Sequence, residues 1–357
     1  MMRSHTITIA AFAAAAAATS VEEARTQFES FKVRFGKSYG AEEEAAKFEA
    51  FQASLVRVEA GNADRRSRGA DETQGVTKFS DLTPAEFRKM YLTLKPRSAE
   101  RIAATPELSK DDCAACGLFP AHANATFDGG FDWTTKGAVT KVKDQGQCGS
   151  CWSFGTTGDI EGTTFLKTGA LNSLSEQQLV SCDTASDQGC NGGLQEDAFV
   201  YVEKNGLTAE KDYPYTSGTG RTGTCAKAKI VAPLTKISSW VQVSKTSAGE
   251  HDLKDALTKN GPLTIGIDAT PMQDYTSGVD NPVNCNANRG CGCTADDLDH
   301  AVLIVGYGMG AYKNGTATAY WKIKNSWASA WGEEGYYRVA AGHNKCGLAM
   351  DVVHSVV

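Results

Sequence analysis

Two cysteines stand three residues apart in the run Gln145, Gly146, Gln147, Cys148, Gly149, Ser150, Cys151, Trp152. A pair at that spacing suits a local disulfide or half of a zinc site. A second pair, Cys113 and Cys116, offers another half. A third chemistry needs only one of the thiols. Residues 153–167 read as a helix that begins at Cys151, and a thiol at a helix N-terminus lies at the positive end of the macrodipole. That position favours thiolate, the nucleophilic form. Gln145 can donate a side-chain N–H to an oxygen that gains charge. His300 follows the acidic stretch Asp296, Asp297, Leu298, Asp299 and opens an apolar run over 301–306, while Asn325 closes a second run over 320–324. Adjacent strands would set these two side by side, as a base and the group orienting it require.

Composition bounds the setting of that chemistry. Residues 1–19 have the form of a signal peptide, with Arg3 and His5, an alanine-rich apolar core and small residues after it. The core is too short to cross a bilayer, which takes about 20 residues. No other run approaches that length, so no membrane span is expected. Eleven cysteines in an exported chain read as disulfides with one thiol left over. A net charge of -6, with only Arg65, Arg66 and Arg68 as a tight basic cluster, argues against nucleic acid as a partner. At 357 residues and 41% hydrophobic content the chain suits two or three units with a sizeable core.

The elements that must position the thiol follow from periodicity. Phe28, Phe31, Val33 and Phe35 form an aromatic-rich cluster, and Glu43, Lys47, Phe51, Ser54, Val58 and Asn62 fall near one face of a helix. Gly75, Thr77, Phe79 and Asp81 alternate as one side of a short extended piece. Thr83 then caps a helix with Pro84 at its first position and Glu86 completing a capping box. Residues 96–130, punctuated by Pro96, Pro106, Pro120, Gly129 and Gly130, read as a linker. It carries the sequon Asn124-Ala125-Thr126; Asn314-Gly315-Thr316 is another. In the helix after Cys151, Gly155, Gly158 and Gly162 share one face, which implies close packing against other backbone, and Thr168-Gly169 stops it. The C-terminal third reads as short strands, with Asn314-Gly315 as a hairpin signal. The order is helical first and β-rich second, an α+β pattern.

The 145–152 run, the segment Gly189-Cys190-Asn191-Gly192-Gly193 and the stretch from Trp327 to Trp331-Gly332 together resemble the signatures of papain-like cysteine proteases of the cathepsin L-like kind. The resemblance implies a two-lobed fold with a helical N-terminal lobe and an antiparallel, barrel-like C-terminal lobe, preceded by a helical prodomain. Its divisions would be a signal peptide over 1–19, an inhibitory prosegment and linker over 20–126, and a catalytic domain over 127–357. Cys151 would be the nucleophile, paired with His300, with Asn325 orienting the imidazole and Trp327 shielding that bond. Gln145 and the Cys151 backbone N–H would form the oxyanion hole. Gly192, Gly193, Leu194, Gln195, Gly266, Leu298, Asp299 and Trp327 would line the cleft, with Asp351 on the floor of the main specificity pocket. An acidic floor would admit Arg or Lys beside hydrophobic side chains at the second residue before the cut.

The resemblance also implies disulfides Cys148–Cys190, Cys182–Cys225 and Cys293–Cys346. Cys285 and Cys291 would be an extra pair in an insertion, and Cys113 and Cys116 would bridge locally or leave with the prosegment, so that Cys151 alone stays free. The implied activity is that of an endopeptidase acting through a thioester, made as a zymogen without metal or cofactor. It would work on protein and peptide substrates, be inhibited by its own prosegment, be monomeric, and pass through the secretory pathway to the exterior or a lysosome or vacuole. The chain departs from the family pattern at Lys47 (usually Arg), Ser54 (usually Asn) and Thr77 (usually Asn). Acid protonation of carboxylates such as Asp81 would loosen the prosegment. Two other classes compete: a non-catalytic papain-like binding protein, and a metal or redox protein that uses Cys113, Cys116, Cys148 and Cys151. The latter leaves Gln145, His300 and Asn325 without roles.

Overall fold

The computed structural model describes residues 19–97, 127, 129–230, 233–246, 249–282, 297–342 and 344–357. The signal-peptide core, Asn124, Cys113, Cys116, Cys285, Cys291 and Cys293 lie outside the described residues. The N-terminal segment begins with two helices, α1 (Val21–Phe35) and α2 (Ala41–Ser67). Ser20 caps α1 by accepting from the Glu23 N–H, and Gly36 ends it at φ 62°, a left-handed turn that glycine adopts without strain. Phe28 and Phe31 interlock with Phe48 and Phe51 of α2. Val33 does not join them. Residues spaced by three and four share a helix face, so Phe28, Phe31 and Phe35 point inward and Val33 is left 85% exposed.

The expected extended piece is only partly extended. Gln74 bridges Tyr275 as a strand residue would, but Ser80 N donates to the Thr77 carbonyl and Leu82 N to that of Phe79. The Ser80 hydroxyl accepts from Thr77 N and fixes this turn. Helix α3 (Pro84–Tyr91) then starts on the Thr83–Glu86 capping box. The three departures have distinct outcomes. Lys47 bridges Glu86 at 3.2 Å, and the Thr77 hydroxyl donates to the Gln273 carbonyl at 2.7 Å. The buried Ser54 hydroxyl finds no partner among the described residues.

The remainder combines helices α4 (Cys151–Thr168), α5 (Glu176–Cys182), α6 (Gln195–Asn205) and α7 (Glu250–Asn260) with one sheet. Its strands are β1 (Phe131–Asp132), β2 (Ser239–Ser244), β3 (Leu263–Ile267), β4 (Val279–Asp280), β5 (His300–Ala311), β6 (Ala317–Lys324), β7 (Tyr336–Ala340) and β8 (Val352–Val356). They run in the order β2-β8-β3-β5-β6-β7-β4, with β1 on β5. Asn314-Gly315 turns the β5–β6 hairpin, where Gly315 N donates to the Tyr312 carbonyl. The barrel-like, antiparallel expectation needs correction on two points. The sheet is open, and β4 pairs with β7 in parallel. A two-residue edge strand offers too few backbone groups to close a barrel onto β2.

Helix α4 packs against β3 and β5, and its glycines allow the approach. A Cβ on Gly155 would overlap the Thr264 hydroxyl, one on Gly162 would overlap the Pro262 ring, and one on Gly158 would stand 3.0 Å from Leu303 Cδ2. The close neighbours are mostly side chains of the sheet, not backbone as the sequence suggested. Gly158→Leu is expected to cost at least about 1–3 kcal/mol by overpacking. A thermal melt of the full chain checks this, and an unchanged midpoint would contradict it.

The N-terminal segment docks through cations on the acidic loop before and within β4. Arg57 grips Asp274 with two bonds of 2.6 and 2.9 Å. Buried Arg65 donates to Asp280 at 2.7 Å, and Asp280 also accepts from the hydroxyls of Thr73 and Tyr337. Removing one member of such a buried pair costs about 3–5 kcal/mol, because the other charge is left uncompensated. Asp81 has a different place. Its carboxylate binds Lys37 and Tyr39, both in the same N-terminal segment, so it holds that segment's own fold together.

Candidate active site

Cys151 is the first residue of α4 and is fully buried. Its sulfur lies by the backbone N–H groups of Trp152 and Ala301 and the Thr93 hydroxyl, all of which favour thiolate. Burial outweighs them and pushes the thiol up to about 11. Ala301 is the neighbour of His300, so the start of α4 abuts the start of β5. The His300 ring bonds Asn325 Oδ1 through Nε2 at 2.8 Å. That oxygen also accepts from the Ser326 N–H, so it is an acceptor and His300 Nε2 is the donor. The proton on Nε2 leaves Nδ1 as the basic nitrogen of the neutral ring.

Among the described residues Nδ1 has no partner of ordinary hydrogen-bond geometry. The Tyr91 backbone is nonetheless near enough to favour the protonated ring. A contact that fails on hydrogen-bond geometry does not orient the ring, so the bond to Asn325 alone sets its orientation. Burial brings the imidazole down to about 4. Trp327 stacks on the ring with centroids 4.6 Å apart at 26°, and it covers the bond to Asn325 with an apolar face.

Gln145 is equally constrained. Its Oε1 accepts from the Ser326 hydroxyl at 2.6 Å, and its Nε2 donates to the Cys148 carbonyl at 3.0 Å. An amide nitrogen carries two protons, so one remains for a further acceptor. Tyr215 donates to the Gln145 carbonyl and bonds the Ser150 hydroxyl, pinning the loop from outside. The Cys148–Cys190 disulfide ties it to the neighbouring loop, and Cys182–Cys225 closes a second bridge. Cys346, like Cys151, is buried and has no disulfide partner among the described residues. Since Cys293 is outside the described residues, the expected 293–346 bridge is not part of the described structure, nor is any pairing of Cys285 with Cys291.

The N-terminal segment fills the groove beside Cys151. Leu94 N donates to the Asp299 carbonyl at 2.9 Å and Lys95 N to that of Gly193 at 3.2 Å, so the segment bonds to both walls. Gly192, at φ 101°, must be glycine, since a Cβ there would overlap the Thr93 carbonyl. A Cβ on Gly266 would stand 3.2 Å from each of Leu94, Leu298 and Asp351, which places these residues around one pocket. Leu194 packs in the same cluster as Leu94. Gln195 is buried behind it, its amide without a partner among the described residues. The Asp299 carboxyl accepts from Ala269 N, and burial pushes it up to about 8. Its backbone, not its charge, faces the groove strand. Phe79, Phe87 and Tyr91 cap Trp327 at centroid distances of 5.1, 5.4 and 6.2 Å.

A thiol at a helix start, an imidazole oriented by an amide, and an amide donor in the loop that leads into that helix are the parts that acyl transfer needs. The model of the papain family cysteine proteases matches residues 128–356 of the chain. The chain belongs to the papain family. A cathepsin propeptide inhibitor domain matches residues 28–87. Cysteine proteinase 15A of Pisum sativum is 42% identical over 339 residues, covering 91% of this chain and 84% of the pea protein. Cysteine proteinase 1 of Dictyostelium discoideum is 39% identical and covers 94% and 93%. Among solved structures, digestive procathepsin L 3 of Tenebrio molitor larval midgut superimposes with a TM-score of 0.74 at 31% identity, covering 94% of this chain and 99% of that one. This papain-family chain is therefore a cysteine protease made as a zymogen, with its inhibitory propeptide lying in its cleft.

Three residues at this site carried no local signal in the sequence. Ser326 orients Gln145, Thr93 covers Cys151, and Arg97 enters a buried pocket between Glu196 and Asp351. Each acts across a long sequence separation, which periodicity and motif spacing do not report.

Proposed function

We propose that the protein is an endopeptidase in which Cys151 is the nucleophile, His300 the general base and acid, and Asn325 the group that fixes the imidazole. The observation that carries the reading is the 2.8 Å bond between His300 Nε2 and Asn325 Oδ1, whose oxygen also accepts from Ser326 N and so puts the ring proton on Nε2. It leaves Nδ1 to take the proton of Cys151. The thiolate attacks the scissile carbonyl, and the oxygen that becomes charged is met by the free Nε2 proton of Gln145 and the Cys151 N–H; such a donor contributes about 3 kcal/mol. His300 returns its proton to the leaving amine. Water, deprotonated by His300, then cleaves the thioester and regenerates the thiol. Helix α4 adds the field of its N-terminus to every charged state of the sulfur.

The endopeptidase reading rests on how the propeptide lies in the groove. Residues 91–97 pass through it as the interior of a chain, bonded to Asp299 on one side and Gly193 on the other. A groove that takes a chain interior suits internal cleavage. Leu194, Gln195, Gly266, Leu298 and Asp351 form the main specificity pocket in this reading, with Asp351 favouring a basic side chain. Residues 1–19 direct the chain into the secretory pathway, toward the exterior or a lysosome or vacuole, and the boundary near residue 127 separates propeptide from enzyme. The mature enzyme acts as a monomer without cofactor. Among the described residues no group of side chains is arranged to hold a metal ion and no helix is long and apolar enough to cross a membrane.

Titration of the matured protein with an irreversible epoxide thiol inhibitor tests the assignment. We expect one equivalent to abolish peptide hydrolysis, with the adduct mapped to Cys151, and Cys151→Ser to be inert and unlabelled. Hydrolysis surviving in Cys151→Ser would reject it.

A further inference from the structure

Arg97 lies at the start of the stretch read as a linker, where the propeptide leaves the groove, and its guanidinium is buried at 4% side-chain exposure. Its Nε lies 2.6 Å from Glu196 Oε1 and its Nη1 lies 2.8 Å from Asp351 Oδ1. The two carboxylates come from opposite halves of the molecule. Glu196 sits in the first turn of α6, beside the Gly192–Gly193 wall, and Asp351 immediately precedes β8. Their side chains are 3% and 2% exposed. The Asp351 carboxylate is also approached by Gln242 Nε2 at 3.4 Å. Leu94 reaches the same pocket from the groove, since the Gly266 Cβ position touches both Leu94 and Asp351.

Covered by the propeptide, two carboxylates around one small volume repel each other and lose their hydration, so the closed form places a cation between them. Within the zymogen that cation is Arg97, and it leaves with the propeptide. We propose that Glu196 is a second specificity-determining residue, which together with Asp351 grips the guanidinium of an arginine side chain of the substrate in the place that Arg97 holds before maturation. This deepens the pocket assignment given to Asp351 under the proposed function and rests on it. The geometry favours arginine over lysine. A guanidinium presents donors along two edges and meets two separate carboxylates, whereas an ammonium is a single point charge.

The test uses the matured enzyme and peptides that differ only at the second residue before the cut, carrying Arg, Lys, citrulline or Leu. Citrulline keeps the shape of arginine and removes its charge. In the wild type we expect Arg to exceed citrulline and Lys in kcat/KM by about 10- to 100-fold. Glu196→Gln should lower kcat/KM on the Arg peptide by a similar factor and leave the Leu peptide within about threefold. Glu196→Asp, which keeps the charge with a shorter reach, should fall between, and it serves if the glutamine variant does not fold. An Arg-to-Leu ratio unchanged in both Glu196 variants but collapsed in Asp351→Asn would overturn the role of Glu196. A ratio unchanged in all of them would reject the pocket itself, while cleavage of the Leu peptide would still uphold the protease reading. Failure of the wild type to cleave any of these peptides would reject that reading instead.

Discussion

Replacing His300 with alanine is expected to lower kcat/KM of the matured enzyme by about four orders of magnitude, roughly 5.5 kcal/mol of transition-state stabilisation. Two losses combine. No group remains to take the proton of Cys151, and none remains to protonate the leaving amine. The ring sits between the Asn325 side chain and the Trp327 face, so its removal leaves a cavity that water fills without restoring an oriented base. So that maturation is the same for both proteins, the propeptide is removed by an added protease before the comparison. Active-site titration then gives the concentration of competent thiol. A loss below about tenfold, less than a positioned base contributes, would take His300 out of the chemistry and leave Cys151 to be activated by the α4 N-terminus alone.

The residues proposed for the chemistry could be singled out in the sequence because they are special in type and sit at the ends of elements. Cys151 begins a helix, His300 begins β5 and Asn325 follows β6. A reader needs only local pattern to place each at an end, and the pairing of β5 with β6 does the rest. The N-terminal aromatic cluster and the Thr83 capping box were legible on the same basis. What escaped was set by the partner, not by the local segment. The turn at Ser80 competes with an extended reading through one side-chain hydroxyl. The open edge at β4 depends on a loop whose course is decided by docking against Arg57, Arg65 and Thr73. Arg97 meets Glu196 and Asp351 from three remote segments, and a lone arginine beside a linker gives no hint of such a destination. The same holds for Asp81. Its protonation was expected to loosen the prosegment, but nothing local showed that its partners would be Lys37 and Tyr39, within the propeptide itself.

The closed zymogen should keep the catalytic pair neutral, and this has a measurable signature. Burial pushes Cys151 up to about 11 and His300 down to about 4, so thiol and imidazole coexist between those limits. Once the propeptide leaves, water and the α4 N-terminus favour thiolate, and the proton passes from Cys151 to His300. That transfer is internal, so in mildly acid solution the pair takes up no proton on release and supplies no acid drive for maturation. At high pH the sign is clear. The closed form holds its thiol proton up to about 11, the released pair gives up its proton sooner, and the closed form therefore weakens as pH rises toward that value. Iodoacetamide labelling of Cys151, followed by mass spectrometry on chains shown intact at neutral pH, reads this directly. At pH 7 we expect the intact chain to react at least about 100-fold more slowly than the matured enzyme. The decisive feature is the slope. A protonated thiol gains reactivity about tenfold per pH unit between pH 7 and 9, whereas reaction through transient release would follow the flat profile of the mature pair. A flat profile in the intact chain would show that the propeptide guards Cys151 by occlusion alone.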